Sequence, residues 1–312
     1  MNQLIVLGSV NADHVLQVPA FPRPGETLHG CNYQVIPGGK GANQAVAAAR
    51  LQADIGFIAC VGDDAFGGQM IERFKADGIN TQGVSVEPNC PTGIAMIQVS
   101  KQGENSICLS AEANARLTSE RLEPHLAAIR AATYLLVQLE TPMEGIETVV
   151  REAKAHGTQV ILNPAPAREL SDALLAGIAI ITPNETEAEL LTGISVTDEH
   201  SAQQAAKVLH QKGVETVLIT LGSKGAWLSQ QGQQGQQGQG ELIGGFKVQA
   251  VDTTAAGDTF NGALVTGLLE AMPLATAIRF AHAAAALSVT RFGAQTSIPT
   301  RQEVEAFLAS QL

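Results

Sequence analysis

Short apolar runs alternate with longer amphipathic stretches along most of this chain. Residues 4–7 form one such run, closed by Gly8, with the character of a buried parallel strand. Further runs predict strands at 55–61, 134–137, 160–163, 179–182 and 216–220. Helical periodicity falls between them, at 66–77, 120–131, 144–156, 185–192 and 202–212. This alternation predicts an α/β fold with a doubly wound, mostly parallel sheet flanked by helices. No repeat of solenoid period interrupts it.

A second pattern occupies 15–18, 27–36, 92–99 and 106–109. Apolar and polar residues alternate there, and Pro19, Pro22, Pro24 and Gly25 separate the first two stretches. Such segments read as strands exposed on one face. Alanine-rich helices are predicted at 42–51, 263–269 and 274–290. Near the C-terminal third, strands at 226–229 and 246–251 bracket a Gln/Gly-rich stretch, 232–240, that reads as a lengthened hairpin turn without chemistry.

Composition narrows the function classes. With 312 residues, 45% of them hydrophobic, the chain can bury a large core. A net charge of −11 argues against nucleic acid and against an anionic membrane as partner. It leaves ATP open, because phosphate sites are local constructions of amides, a lysine and metal. The first residues lack a basic region before the apolar run, and no apolar stretch approaches 18 residues. Cys31, Cys60, Cys90 and Cys108 are far apart and form no C-x-x-C pair. Reduced thiols in a cytoplasmic protein are expected.

The chemistry concentrates at 251–262, Val-Asp-Thr-Thr-Ala-Ala-Gly-Asp-Thr-Phe-Asn-Gly. A loop of small residues delivers a helix start there. The N–H groups of Ala255, Ala256 and Gly257 would point out of it, reinforced by about half a positive charge from the helix dipole. Such an end is an anion hole suited to phosphate, and Gly257 allows close approach. Asp258 beside it reads either as a helix-favouring first-turn acid or as a general base for an incoming hydroxyl.

Other candidates lie where strands end. Asn11 and Asp13 follow the first strand two residues apart, on one face if extended. They read as turn chemistry or as ligands for a vicinal diol. Gly38-Gly39-Lys40-Gly41 is a glycine turn before the helix carrying Asn43. Glu140, after the strand at 134–137, reads as a helix N-terminal acid or a site residue. Asn184-x-x-Glu187 has capping-box spacing. Thr220-Leu221-Gly222-Ser223-Lys224-Gly225 follows an apolar strand and lacks Walker A spacing. His282, among alanines, reads as a core residue.

Three separated motifs carry a resemblance. Asp252-Thr-Thr-Ala-Ala-Gly-Asp258-Thr-Phe-Asn-Gly-Ala263, Gly38-Gly-Lys-Gly-Ala-Asn43-Gln44-Ala45 and Asn184-Glu-Thr-Glu187 together resemble the ribokinase-like (pfkB) carbohydrate kinases, in the family's order and across essentially the whole chain. The resemblance implies one kinase domain, 1–312, with a lid sheet inserted from about 14–36 and 92–110 that also pairs in a homodimer. It implies ATP-dependent phosphorylation of D-ribose at the 5-hydroxyl, with Asp258 as base. Asn11, Asp13, Gly38, Gly39, Lys40, Gly41, Asn43 and Glu140 would bind the sugar. Asn184, residues 220–225, Gly257 and His282 would serve the nucleotide, with Glu187 near Mg²⁺ through water. Asp252, Thr254, Ser288, Arg291, Gly293 and Ser297 would hold K⁺, mostly through backbone oxygens. Family sequences carry a small residue near position 52. Gln52 stands there, at the far end of the helix, so altered capping is expected with the site chemistry intact.

Two alternatives stay in view. One is a kinase for another small polyol, such as deoxyribose, fructose or a nucleoside. The other is a silent sugar-binding sensor, which would need neither the base nor the anion hole.

Overall fold

A computed structural model describes residues 2–232 and 240–311. The turn expected around 232–240 lies mainly outside them. Thirteen strands are formed among the described residues: β1 (Leu4–Leu7), β2 (Asn11–Val18), β3 (Cys31–Gly38), β4 (Ile55–Gly62), β5 (Asn80–Glu87), β6 (Gly93–Ser100), β7 (Asn105–Ser110), β8 (Tyr134–Val137), β9 (Gln159–Leu162), β10 (Ile180–Ile181), β11 (Thr216–Thr220), β12 (Gly225–Gln230) and β13 (Glu241–Gly244). The large sheet runs β13-β12-β11-β10-β9-β8-β1-β4-β5. It is parallel from β5 to β11, and β12 and β13 add antiparallel at one edge.

Both faces of its inner strands are buried, and the strand period of two sorts their side chains into two cores. In β1, Leu4 and Val6 enter the core that also holds the helices Lys40–Arg50, Ala256–Leu269 and Leu274–Ser288. Ile5 and Leu7 enter the opposite core, with Met143–His156 and Glu199–Gln211. That double burial explains why the strands read as unbroken apolar runs. Among the described residues, no helix is long and apolar enough to cross a membrane.

Several elements differ from the sequence reading. The helix expected over 120–131 is broken into Ser119–Leu122, a 3₁₀ turn at Glu123–His125 and Leu126–Ala131. Pro124 inside that turn has no amide hydrogen to donate. β5 has no counterpart in the apolar pattern: its burial is intermediate or exposed throughout, as befits an edge strand. The strand expected at 246–251 is absent, and β13 ends before it. The helix expected from 263 begins at Ala256, and the one expected from 42 begins at Lys40. Gln52 follows the latter helix with a left-handed backbone, φ 73°. Its amide still bonds the Ala49 carbonyl at 2.9 Å.

The four alternating segments form a separate sheet in the order β3-β2-β6-β7. Only three residues separate β1 from β2, so this sheet stands at the carboxyl end of the central strand. Asp13, Ala95 and Leu109 share one rung and therefore one face. Val35, His14, Met96 and Cys108 share the neighbouring rung on the other face. Exposed apolar side chains occur on both faces: Ile107 and Leu109 on the Asp13 side, Tyr33, Val35 and Met96 outside.

Candidate active site

Asp258 lies in the first turn of the helix Ala256–Leu269 and is buried. Its carboxylate accepts the Asn43 side-chain amide at 2.9 Å on one oxygen and the Gln44 side-chain amide at 3.0 Å on the other. Those two donors are consecutive in the helix Lys40–Arg50, so one glycine turn places both. The helix start is sharpened by Ala255, whose backbone is left-handed at φ 61°, uncommon for a residue with a Cβ. The Ala255 carbonyl accepts both the amide and the hydroxyl of Thr259, at 2.8 and 2.9 Å. One part of the expected anion hole is altered: the Ala256 amide already donates to the Thr253 carbonyl at 3.2 Å. Gly257 has no positive φ, and a Cβ there would meet nothing within 4 Å. Neither packing nor backbone requires glycine here. Its effect is to leave the helix end bare toward a cavity.

That cavity, about 220 Å³, is lined by Lys40, Asn163, Asn184, Glu187, Thr220 and residues 255–258 among others. It therefore gathers one lysine, a helix N-terminus and two acids. Burial disfavours the Lys40 ammonium, yet Asp258, Glu140, Glu187 and Asp13 together hold its pKa above the ordinary lysine value. Asn184 and Glu187 do form the capping box their spacing suggested, and they face this cavity as well. Burial raises the Glu187 pKa, against the Asn184 amide and Lys40.

On the other side of Asp258, β2 presents Asn11 and Asp13, both buried. Burial, aided by the carboxylates of Glu140 and Asp258 and opposed by Lys40, pushes Asp13 up to about 7. A Cβ at Gly38 would overlap the Asp13 carboxylate. Gly39 turns the chain with φ 92°, and a side chain there would strike the backbone at Ser9 to Asn11. Glu140 accepts the Ser9 hydroxyl and the Lys40 amide, the latter at 3.1 Å. It lines a second cavity of about 340 Å³ with Asn11, Leu109 and Arg168. Asp13 Oδ1 and Asn43 Oδ1 are buried acceptors without a donor. Gly41 contributes no side chain and fits against Gly8, where a Cβ would collide with backbone.

Not every candidate reaches these cavities. Leu221, Gly222, Ser223, Lys224 and Gly225 lie in and around the 3₁₀ turn after β11 and line neither one; Thr220 lines the first. His282 packs against Phe260, ring centroids 4.9 Å apart. Burial, with Arg279 adding to it, lowers its pKa to about 4, and its Nε2 has no partner.

Of the six residues expected to hold a cation, hydrogen bonds join Asp252, Thr254 and Gly293. Asp252 accepts the amide and hydroxyl of Thr254 at 2.9 and 2.7 Å on one oxygen, and the Gly293 amide at 2.9 Å on the other. Ser288 accepts the Arg291 amide on its carbonyl, while the Arg291 guanidinium pairs with Glu303 at 2.6 Å. The Ser297 hydroxyl donates to the Ala294 carbonyl.

Sequence reasoning misses four site residues. Asn114 holds Asn11 by a 2.8 Å amide bond and grips the Val10 backbone at both its N–H and C=O. Gln44 joins Asp258 to Asn163 and Gln138. Gln44 lies inside a quoted motif, which is the available signal; the others are isolated amides that no local spacing marks.

Comparison with known proteins gives a consistent result. The model for "pfkB family carbohydrate kinase" matches residues 1–301. A ribokinase of Haemophilus influenzae is 56% identical over 305 residues, 98% of each chain. One from Staphylococcus aureus is 44% identical over 305 residues, 97% of this chain and 98% of that one. The solved structure of Arabidopsis thaliana ribokinase complexed with ribose and ATP has a TM-score of 0.90 and 35% identity, covering 98% of each chain.

Proposed function

The chain belongs to the pfkB family of carbohydrate kinases, and on that premise we propose that it transfers the γ-phosphoryl group of ATP to the 5-hydroxyl of D-ribose, giving D-ribose 5-phosphate and ADP. The observation that carries this reading is the position of Asp258. Its buried carboxylate borders the cavity at the bare helix end, while Asn43, one of its donors, keeps an unpaired acceptor oxygen, as does Asp13. A polyol supplies hydroxyl donors for such oxygens.

Asp13 and Asn11 bind sugar hydroxyls and fix the acceptor, with Glu140 and Lys40 completing the ring of polar groups. Asp258 takes the proton from the 5-hydroxyl as the oxygen attacks phosphorus. The Ala255 and Gly257 amides, with Lys40, stabilise charge on the transferred group. The Ala256 amide joins them only if its bond to Thr253 opens. The apolar Ile107 and Leu109 side chains, on the sugar side of the small sheet, exclude water when that sheet serves as a lid.

A divalent metal accompanies ATP in kinases, and the donors here suit Mg²⁺. The capping box engages only Glu187 Oε2, and carboxylates hold Mg²⁺ readily through its water shell. When bound, Mg²⁺ supplies charge that neutralises the triphosphate. The cluster at Asp252 offers only oxygen donors toward a monovalent cation. Both Asp252 oxygens already accept protein hydrogen bonds and Arg291 is turned to Glu303, so K⁺ would be held largely by carbonyls. A homodimer would cover Tyr33, Val35 and Met96. Sedimentation of Met96→Asp tests it, since an unchanged mass would remove the lid face as the interface. Four free cysteines suit a cytoplasmic enzyme.

The deciding experiment is a sugar panel with ATP and Mg²⁺, with product phosphate located by NMR. Phosphate at the 5-position of ribose, at kcat/KM well above deoxyribose, fructose and nucleosides, is expected. ATP turnover independent of any sugar would overturn the reading.

A further inference from the structure

Gln44 is fully buried, and its side-chain amide makes three hydrogen bonds. Its Nε2 donates to Asp258 Oδ1 at 3.0 Å and to Asn163 Oδ1 at 3.0 Å. Its Oε1 accepts from Gln138 Nε2 at 2.6 Å. Asp258 anchors the direction of this chain, because an ionised carboxylate only accepts. Gln44 must therefore show it the NH₂ end, which turns the Gln44 oxygen toward Gln138, and Gln138 must donate in turn. Gln138 Oε1 is left buried without a donor, against Gly8, where a Cβ would overlap it. A buried acceptor left unsatisfied costs about 1–3 kcal/mol. An apolar side chain at 44 would leave Asp258 Oδ1, Asn163 Oδ1 and the Gln138 Nε2 donor without this partner.

We propose that Gln44, set by Gln138, is a positioning residue that holds the Asp258 carboxylate turned toward the acceptor hydroxyl. Resting on the reading of Asp258 as base, this assigns a role to a pair 94 residues apart, on the helix Lys40–Arg50 and just after β8. Asn43 secures Asp258 Oδ2 and Gln44 secures Oδ1, so together they fix the carboxylate plane. Loss of the Gln44 donor frees the carboxylate to rotate about its remaining bond to Asn43. Gln138 bonds Gln44 and makes no hydrogen bond to Asp258. Its effect must pass through the Gln44 amide, which it keeps from flipping.

The test compares Gln44→Met, Gln138→Met and Asp258→Asn in the full-length enzyme. Each is made singly, and each methionine change is also combined with Asp258→Asn. Gln44→Met is expected to lower kcat by about 10–100-fold, with both KM values within about threefold. Gln138→Met should lower kcat in the same way but by less, again with both KM values little changed. In the Asp258→Asn background neither change should lower the residual kcat further. A Gln44→Met enzyme with kcat within twofold of the parent, or with the same fold-loss in the Asp258→Asn background, would overturn the proposal. So would a Gln138→Met enzyme with an unchanged kcat. If Gln44→Met does not fold, the kcat and KM values of Gln138→Met decide alone. Retention of activity by Asp258→Asn itself would instead remove the base assignment, and that result is separately visible.

Discussion

Asn184 and Glu187 hold each other by two reciprocal bonds: the Asn184 side chain accepts the Glu187 amide at 2.8 Å, and the Glu187 carboxylate accepts the Asn184 amide at 2.9 Å. The same two residues line the cavity at the Asp258 helix end. A helix cap and a candidate metal-facing acid are thus one construction. The cap ties Glu187 Oε2 to the backbone and thereby sets where the second oxygen points.

This relationship separates charge from capping. Glu187→Gln keeps an acceptor oxygen for the Asn184 amide and removes the negative charge. The expected outcome is a kcat loss of about tenfold or more, with half-saturating Mg²⁺ raised and the melting temperature nearly unchanged. Glu187→Ala should lose activity similarly and also lose about 0.5–2 kcal/mol of stability with the cap. Thermal melts beside Mg²⁺ titrations check this. A Glu187→Gln enzyme with wild-type metal dependence would reduce Glu187 to a cap.

How much of this is legible in the sequence depends on reach. Asn11 and Asp13, or Asn184 and Glu187, are two and three residues apart, and local geometry brings each pair to one face. Gln44, Gln138 and Asn163 join Asp258 in one network through bonds that span 94 to 214 positions, so only the folded topology assembles them. Elements follow the same rule. The buried strands β1, β8 and β11 are legible to the residue, because burial on both faces writes unbroken apolar runs. β5 escapes because an edge strand needs no such run. β13 lies away from its expected place because its position is set by pairing with β12, such as Leu242 opposite Trp227, and not by its own composition.

Asp13 couples stability to pH. Its folded pKa of about 7 lies above the ordinary 3.8, so the folded state holds this proton more tightly than the unfolded chain. Stability from this group is fully present below pH 3.8 and is lost as pH rises through about 7. Asp13→Asn should therefore melt higher than the parent at pH 8, by roughly 2–4 °C per kcal/mol relieved, and the gain should vanish near pH 4. The same variant should raise the sugar KM by at least tenfold, each lost charge-assisted bond being worth about 1.5–3 kcal/mol, with ATP affinity little changed. Equal weakening toward both substrates would count against a direct sugar contact.

The loop carrying Asp252 reaches the Asp258 helix through Thr253 and Ala255, so a cation ordered there would set the anion hole without touching substrate. The expected outcome is a higher kcat with K⁺ than with Na⁺. Asp252→Ala, which frees Thr254 and Gly293, should weaken that response and lower kcat. Rates measured after complete replacement of K⁺ by a large organic cation check it. An unchanged rate would remove the cation from the mechanism.

The decisive substitution is Asp258→Asn. It removes the proposed base and one charge, and loss of a general base lowers kcat by ~10²–10⁴-fold. ATP should still bind, since the helix-end amides remain and one negative charge beside the triphosphate is gone. Structure adds a second consequence. Asp258 accepts amide donors on both oxygens, from Asn43 and from Gln44. An asparagine has only one acceptor atom, so one buried donor loses its partner, a cost of about 1–3 kcal/mol. A plain first-turn acid would instead lose about 0.3–1 kcal/mol with chemistry intact. Measuring kcat, ATP affinity and melting temperature on one purified variant separates the two roles. A fall in kcat below tenfold, whatever the melting temperature does, means that another group takes the proton from the sugar.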